Sequence, residues 1–225
     1  NGITFRDIRL GKYYVSGDKV TLNAFDTTAT GEVYCYGFAT PNSTVYLYDG
    51  SNLLTSVDVN SWGKWEAVVW FPRENDAFTV VRTYSSTHVL KAVCNGEESA
   101  PLTVYFNSDC AALSGIYLLN EGRRLTDSYV WNKSTRMSCE ADVQNAYRIS
   151  EDPVFRVLCS DGTMLEFPAK KGETKSRLGI PITTYYSETF DYGEKNLLPV
   201  KVWFDFKQES VKQKLPEPLP GKLTI

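Results

Sequence analysis

From Thr44 to Phe71 apolar and polar residues alternate with a period of two, interrupted only by short runs of turn residues. A period of two is what a pleated strand with one buried face requires, and it cannot line one face of a helix. Val45 and Leu47 share one side, and Tyr46 and Tyr48 the other. Asp49-Gly50-Ser51-Asn52 tolerates positive φ, and Thr55, Val57 and Val59 resume the alternation, which predicts a hairpin. After Asn60-Ser61-Trp62-Gly63, the set Trp65, Ala67, Val69 and Phe71 alternates with Lys64, Glu66, Val68 and Trp70 until Pro72 ends it. These are three consecutive antiparallel strands. The 14 Tyr, 11 Phe and 5 Trp, without extended Ala/Leu/Glu/Lys stretches, also favour pleated surfaces over helices.

The same pattern continues. Thr87 to Cys94 and Leu102 to Phe106 alternate around the turn Asn95-Gly96-Glu97-Glu98, closing a strand-rich half near residue 106, with Asn107-Ser108-Asp109 as the expected linker. In the second half, Met137, Cys139, Ala141 and Val143 face one way and Arg136, Ser138, Glu140 and Asp142 the other. Phe155, Val157 and Cys159 lead through a two-residue Asp161-Gly162 turn to Met164–Phe167, and Val200, Val202, Phe204 and Phe206 form a further inward set. Pro216, Pro218 and Pro220 interrupt the chain before a short strand expected at 223–225. A chain of 225 residues holds one large domain or two of roughly 100 residues. The expected fold is all-β, with two β-sandwiches in tandem over 1–106 and 107–225.

The order of Gly37, Ala39, Pro41, Ser43 and Val45, then Asn60, Gly63 and Trp65, then Ala92 and Asn95-Gly96, resembles the bacterial immunoglobulin-like modules found in tandem on large surface proteins. The resemblance covers about residues 30–106. Pro41 pre-sets a turn, Gly63 permits a tight reversal, and Trp65 supplies a large anchor for a small core. For the first half the resemblance implies an immunoglobulin-like sandwich; the second half carries only the generic pattern of such a fold. It also implies a cell-surface or secreted location and a spacer, adhesion or ligand-presenting role, not catalysis. Sandwich folds host many functions, so role must be argued from sites.

The net charge of −3 offers no basic face for nucleic acid, and no apolar run reaches the roughly 18 residues of a membrane span. The opening Asn-Gly-Ile suggests an excised or mature piece. Five cysteines (Cys35, Cys94, Cys110, Cys139, Cys159) have no Cys-x-x-Cys spacing for zinc or redox work. Cys35 with Cys94, and Cys139 with Cys159, lie on strands that could pair, and buried free thiols fit equally well. Asn42-Ser-Thr44 and Asn132-Lys-Ser134 match the glycosylation triplet.

The lone histidine, His88, would sit about 20 Å from Cys94 along a strand at about 3.3 Å per residue, so it is expected to be structural or superficial, and the sequence designates no serine or aspartate for it. Asp58, Glu66, Glu140, Asp142, Glu166 and Asp205 fall on polar strand faces and are expected to be solvated. Asp49, Asn52, Asp58 and Asn60 offer oxygens near turns, yet lack the Asp-x-Asp-x-Asp spacing of a calcium loop. No metal or cofactor is expected. Tyr46, Tyr48, Trp62 and Trp70 are the candidate ligand-binding residues, because they oppose the inward set or stand in a turn. The competing explanation is that both sheets need large residues. Tyr185, Tyr186 and Tyr192 form a second candidate patch in a loop-like stretch. The chain is therefore expected to be a non-catalytic spacer or adhesion segment. A carbohydrate- or protein-binding module is the rival, and an accessory domain of a hydrolase whose catalytic part lies outside this chain is the third alternative. The partner itself is not specified; a glycan or a host or cell-surface protein suits the aromatics.

Overall fold

The computed structural model describes residues 4–7, 20–72, 84–124, 136–159, 161–190 and 199–209. Among them the chain is all-β. It divides into two compact units, Tyr13–Asp109 with Val211–Ile225, and Cys110–Ser210 with Asn1–Lys12. The first strand, β1 (Thr4–Asp7), belongs to the latter, where it pairs antiparallel with residues 201–204.

The former unit, called N-terminal below, contains β2 (Thr27–Thr28), β3 (Glu32–Phe38), β4 (Thr44–Asp49), β5 (Asn52–Asp58), β6 (Lys64–Trp70), β7 (Ser85–Cys94), β8 (Glu97–Glu98) and β9 (Leu102–Asn107). One sheet runs β2-β9-β7-β4-β5, with β8 paired to β7; the other pairs β3 with β6. The β4–β5 hairpin forms as the sequence predicts, with Gly50 at φ 58 in its turn. The third strand does not continue that sheet. At the corner, Asn60 Oδ1 accepts from the Trp62 and Lys64 amides (2.9 Å each), and Gly63 at φ 79 lets the chain reverse. β6 thereby crosses over to pair with β3. Alternation shows that a strand has one buried face, but not which neighbour takes its edge hydrogen bonds.

The two sheets share one core. Val33 and Cys35 of β3 and Trp65, Ala67 and Val69 of β6 pack with Val45 and Leu47 of β4, Leu90 and Ala92 of β7, and Val104 and Phe106 of β9. The Trp65 indole N–H donates to the Thr21 carbonyl (3.2 Å), so burying this anchor leaves its polar atom satisfied. Pro41 precedes Asn42 at φ 58, the backbone of a type II turn. At Asn95-Gly96 both residues have positive φ (51 and 79), as a type I′ hairpin requires.

The C-terminal unit contains β10 (Ala112–Asn120), β11 (Arg123–Arg124), β12 (Met137–Gln144), a 3-10 turn (Ala146–Arg148), β13 (Val154–Cys159), β14 (Met164–Pro168), β15 (Lys170–Arg177), β16 (Ile180–Tyr186) and β17 (Pro199–Asp205). Its sheets run β11-β10-β12-β16-β15 and β1-β17-β13-β14. The predicted inward set of β12 is buried, as are Phe155, Val157, Cys159, Val202, Phe204 and Phe206. Tyr185 of one sheet meets Phe204 of the other at 5.3 Å between ring centroids, and Phe204 meets Phe155 edge-on at 5.1 Å, so the sheets face each other across an aromatic core. The β13–β14 turn is longer than predicted: the closing pair is Cys159 and Thr163, with Gly162 at φ 88. The expected strand at 223–225 and the side chain of Val200 lie outside the described residues.

Candidate binding face and polar cluster

The four aromatics singled out by the sequence do not share one surface. Tyr46 (43 % exposed) and the half-buried Tyr48 stand on the outer face of β4, whereas Trp70 (50 %) stands on the outer face of β6, in the opposite sheet. The core lies between those sheets, so Tyr46 and Trp70 point away from one another. Trp62 (59 %) occupies the corner at 60–63, with Lys64 Nζ 5.9 Å above its ring.

Trp70 has company that the sequence did not single out. In the β3–β6 register Tyr34 lies opposite Val68, Tyr36 opposite Glu66, and Glu32 opposite Trp70, so all six residues share the outer face. Tyr34 and Tyr36 stack at 5.5 Å and 26°, and the Tyr34 hydroxyl donates to Glu66. Tyr34, Val68 and Trp70 are exposed, making an aromatic band bordered by two carboxylates. The signal was present: Val33 and Cys35 face inward, which sends Tyr34 and Tyr36 out.

His88 departs from its expected isolation. Its Nδ1 lies 2.6 Å from Asp49 Oδ2 and its Nε2 lies 2.7 Å from Ser86 Oγ, while its ring stacks on Phe71 at 3.6 Å and 4°. Ser86 and His88 are two apart on β7 and so share a face; β4 brings Asp49 alongside. The aspartate is 39 positions away in sequence, and only strand pairing makes it a neighbour. Cys94 instead contacts Ser43 Oγ at 3.0 Å.

The remaining polar candidates are engaged by neighbours. Arg124 reaches Glu140 (2.6 Å) and Asp142 (3.6 Å) and lies over the Tyr117 ring, and Arg156 bridges Glu166 and Asp205. Of the oxygens considered for calcium, Asn60 Oδ1 serves its turn and Asp49 Oδ2 faces His88. No cluster of three metal-ligating side chains occurs among the described residues. All five cysteines are buried free thiols, and burial pushes Cys35 up to about 12. Cys139 is likewise pushed up to about 12 by burial, with the Ser187 hydroxyl opposing.

Tyr185 and Tyr186 lie in β16, not in a loop, and alternate across it: Tyr185 is buried and Tyr186 exposed, so they form no patch. Tyr192 lies outside the described residues, as does Asn132. Tyr185 instead lines an open groove of about 710 Å³ with Tyr147, Glu151, Asp152 and Lys171. Burial raises its phenol pKa, and the Asp152 carboxylate adds to the rise. Comparison with protein-family models gives no match, and comparison with curated proteins gives none either.

Proposed function

We propose that this chain is a non-catalytic spacer or adhesion segment of a bacterial cell-surface or secreted protein, built from two tandem immunoglobulin-like sandwiches that meet near residue 107. The observation that carries the proposal is the connection between β9 and β10. Only 108–111 separate the two strands, and their backbone is bonded into each unit in turn. Ser108 N donates to the Tyr84 carbonyl and Ser108 Oγ accepts from the Tyr84 amide (2.9 and 2.8 Å). Asn145 Nδ2 donates to the Cys110 carbonyl, and the Gln208 amide both accepts from and donates to the Ala111 backbone. A connection this short, with its backbone hydrogen-bonded on both sides, leaves little free chain between the units, which supports a spacer reading. The test is single-molecule extension of the full chain with the load applied at positions 20 and 209, so that it passes through one unit, the 108–111 connection and the other unit, and not through the β1–β17 pair. Two separate unfolding events, each releasing roughly 30 nm of chain at about 3.5 Å per residue, are expected. A soft extension at the joint before either event, or one event for the whole chain, would overturn it.

A second role is favoured by the aromatic band on β3 and β6. Tyrosine and tryptophan rings on an exposed strand face suit stacking against a sugar ring or a protein loop. Binding on a glycan array that is lost with Trp70→Ala but kept with Tyr46→Ala, on the opposite sheet, is the expected pattern for a module using this face.

A further inference from the structure

The Ser86, His88 and Asp49 cluster has a defined polarity. An ionised carboxylate only accepts hydrogen bonds, so the 2.6 Å contact from Asp49 places the proton of a neutral His88 on Nδ1. Nε2 then carries the lone pair, and the Ser86 hydroxyl must donate to it across 2.7 Å. That is the arrangement in which an imidazole takes a proton from a serine as the oxygen attacks an electrophile. The imidazole is held on three sides: Asp49 at Nδ1, Ser86 at Nε2, and the Phe71 ring stacked on its face. The inward positions of β7 pass from full burial at Leu90, Ala92 and Cys94 to partial exposure at Ser86 and His88, so the cluster lies where the core opens toward solvent. The His88 and Asp49 side chains are 12 and 23 % exposed.

We propose that Ser86 is a nucleophile activated by His88, accepting one acyl or phosphoryl group from an ester-type donor. With an alkyl fluorophosphonate, Ser86 Oγ bonds to phosphorus as the Oγ proton passes to Nε2. The phosphorus–fluorine bond breaks, fluoride leaves, and Asp49 stabilises the imidazolium. The proposal concerns one bond exchange per chain and is independent of the stalk function.

The test is intact-mass spectrometry of the full chain with an alkyl fluorophosphonate, followed by mapping of the tryptic peptide 83–91. One adduct per chain, on Ser86, is expected. It should vanish in Ser86→Ala, form about 100-fold more slowly in His88→Gln, where the general base is gone, and form about tenfold more slowly in Asp49→Asn. Near-UV circular dichroism checks that each variant folds, and if His88→Gln does not, Asp49→Asn decides alone. No adduct, an adduct only on another residue, or an unchanged rate in a folded His88→Gln or Asp49→Asn variant would overturn the proposal. Ser86, His88 and Asp49 would then be a hydrogen-bonded clip closing that end of the core.

Discussion

Leu178 sits at φ 55 beside Gly179 at φ 77, closing the β15–β16 hairpin between Arg177 and Ile180. Both positions require left-handed backbone, where a leucine pays for contact between its Cβ and the carbonyl oxygen, and an asparagine does so far less. Leu178 is 53 % exposed and so contributes little packing. Leu178→Asn is therefore expected to stabilise the chain by about 1 kcal/mol, read as a higher urea midpoint at unchanged m. The buried thiols set an alkaline limit. Cys35 and Cys139 hold their protons to about pH 12 in the folded chain, whereas an exposed thiol releases its own near pH 9. Between those values the unfolded state binds fewer protons, so stability is full below pH 9 and falls as pH rises, by about 1.4 kcal/mol per pH unit for each thiol. Urea midpoints measured from pH 8 to 11 should show that decline in each unit's transition, and Cys35→Ala should remove its contribution from the N-terminal unit while leaving that of Cys139 in the C-terminal unit.

At the scale of elements, the residues that carry the family resemblance also do identifiable structural work. A Cβ on Gly37 would lie 2.0 Å from the Thr21 carbonyl oxygen, so only glycine lets residues 21–23 run against β3. There Thr21 N donates to Phe38, and Asn23 and Tyr36 exchange two bonds. Gly37→Ala should destabilise the N-terminal unit by about 1–3 kcal/mol, the range of a forced overpacking. Hydrogen exchange should show lost protection at Thr21, Asn23 and Tyr36 while β13 and β17 keep theirs. The strands that the sequence concealed did so for opposite reasons. β10 is buried along nearly its whole length, so Ala-Leu-Ser-Gly-Ile-Tyr-Leu-Leu-Asn shows no alternation. β15 is exposed at every position, and its Lys-Lys-Gly-Glu-Thr-Lys-Ser-Arg sequence has no apolar residue to alternate. Such a charged edge strand discourages further strand addition.

For the whole molecule, two separate cores imply two separable stabilities. Trp65→Ala removes the anchor of one core and Phe204→Ala a ring at the centre of the other, each at a cost of about 3–5 kcal/mol. Calorimetry should show two transitions, with Trp65→Ala lowering one and Phe204→Ala the other. A common shift of both would mean that the units unfold as one. The amino-acid sequence by itself determined the all-β class, the β4–β5 hairpin, and the inward faces of β6, β12 and β13, because side-chain direction along a strand is set locally by a period of two. Only the tertiary structure decided that β6 leaves β5 for β3, that Trp70 joins Tyr34 and not Tyr46, and that Asp49 meets His88. Those outcomes depend on which strand edges pair across long stretches of chain, and edge hydrogen bonds are made by backbone groups that every residue shares.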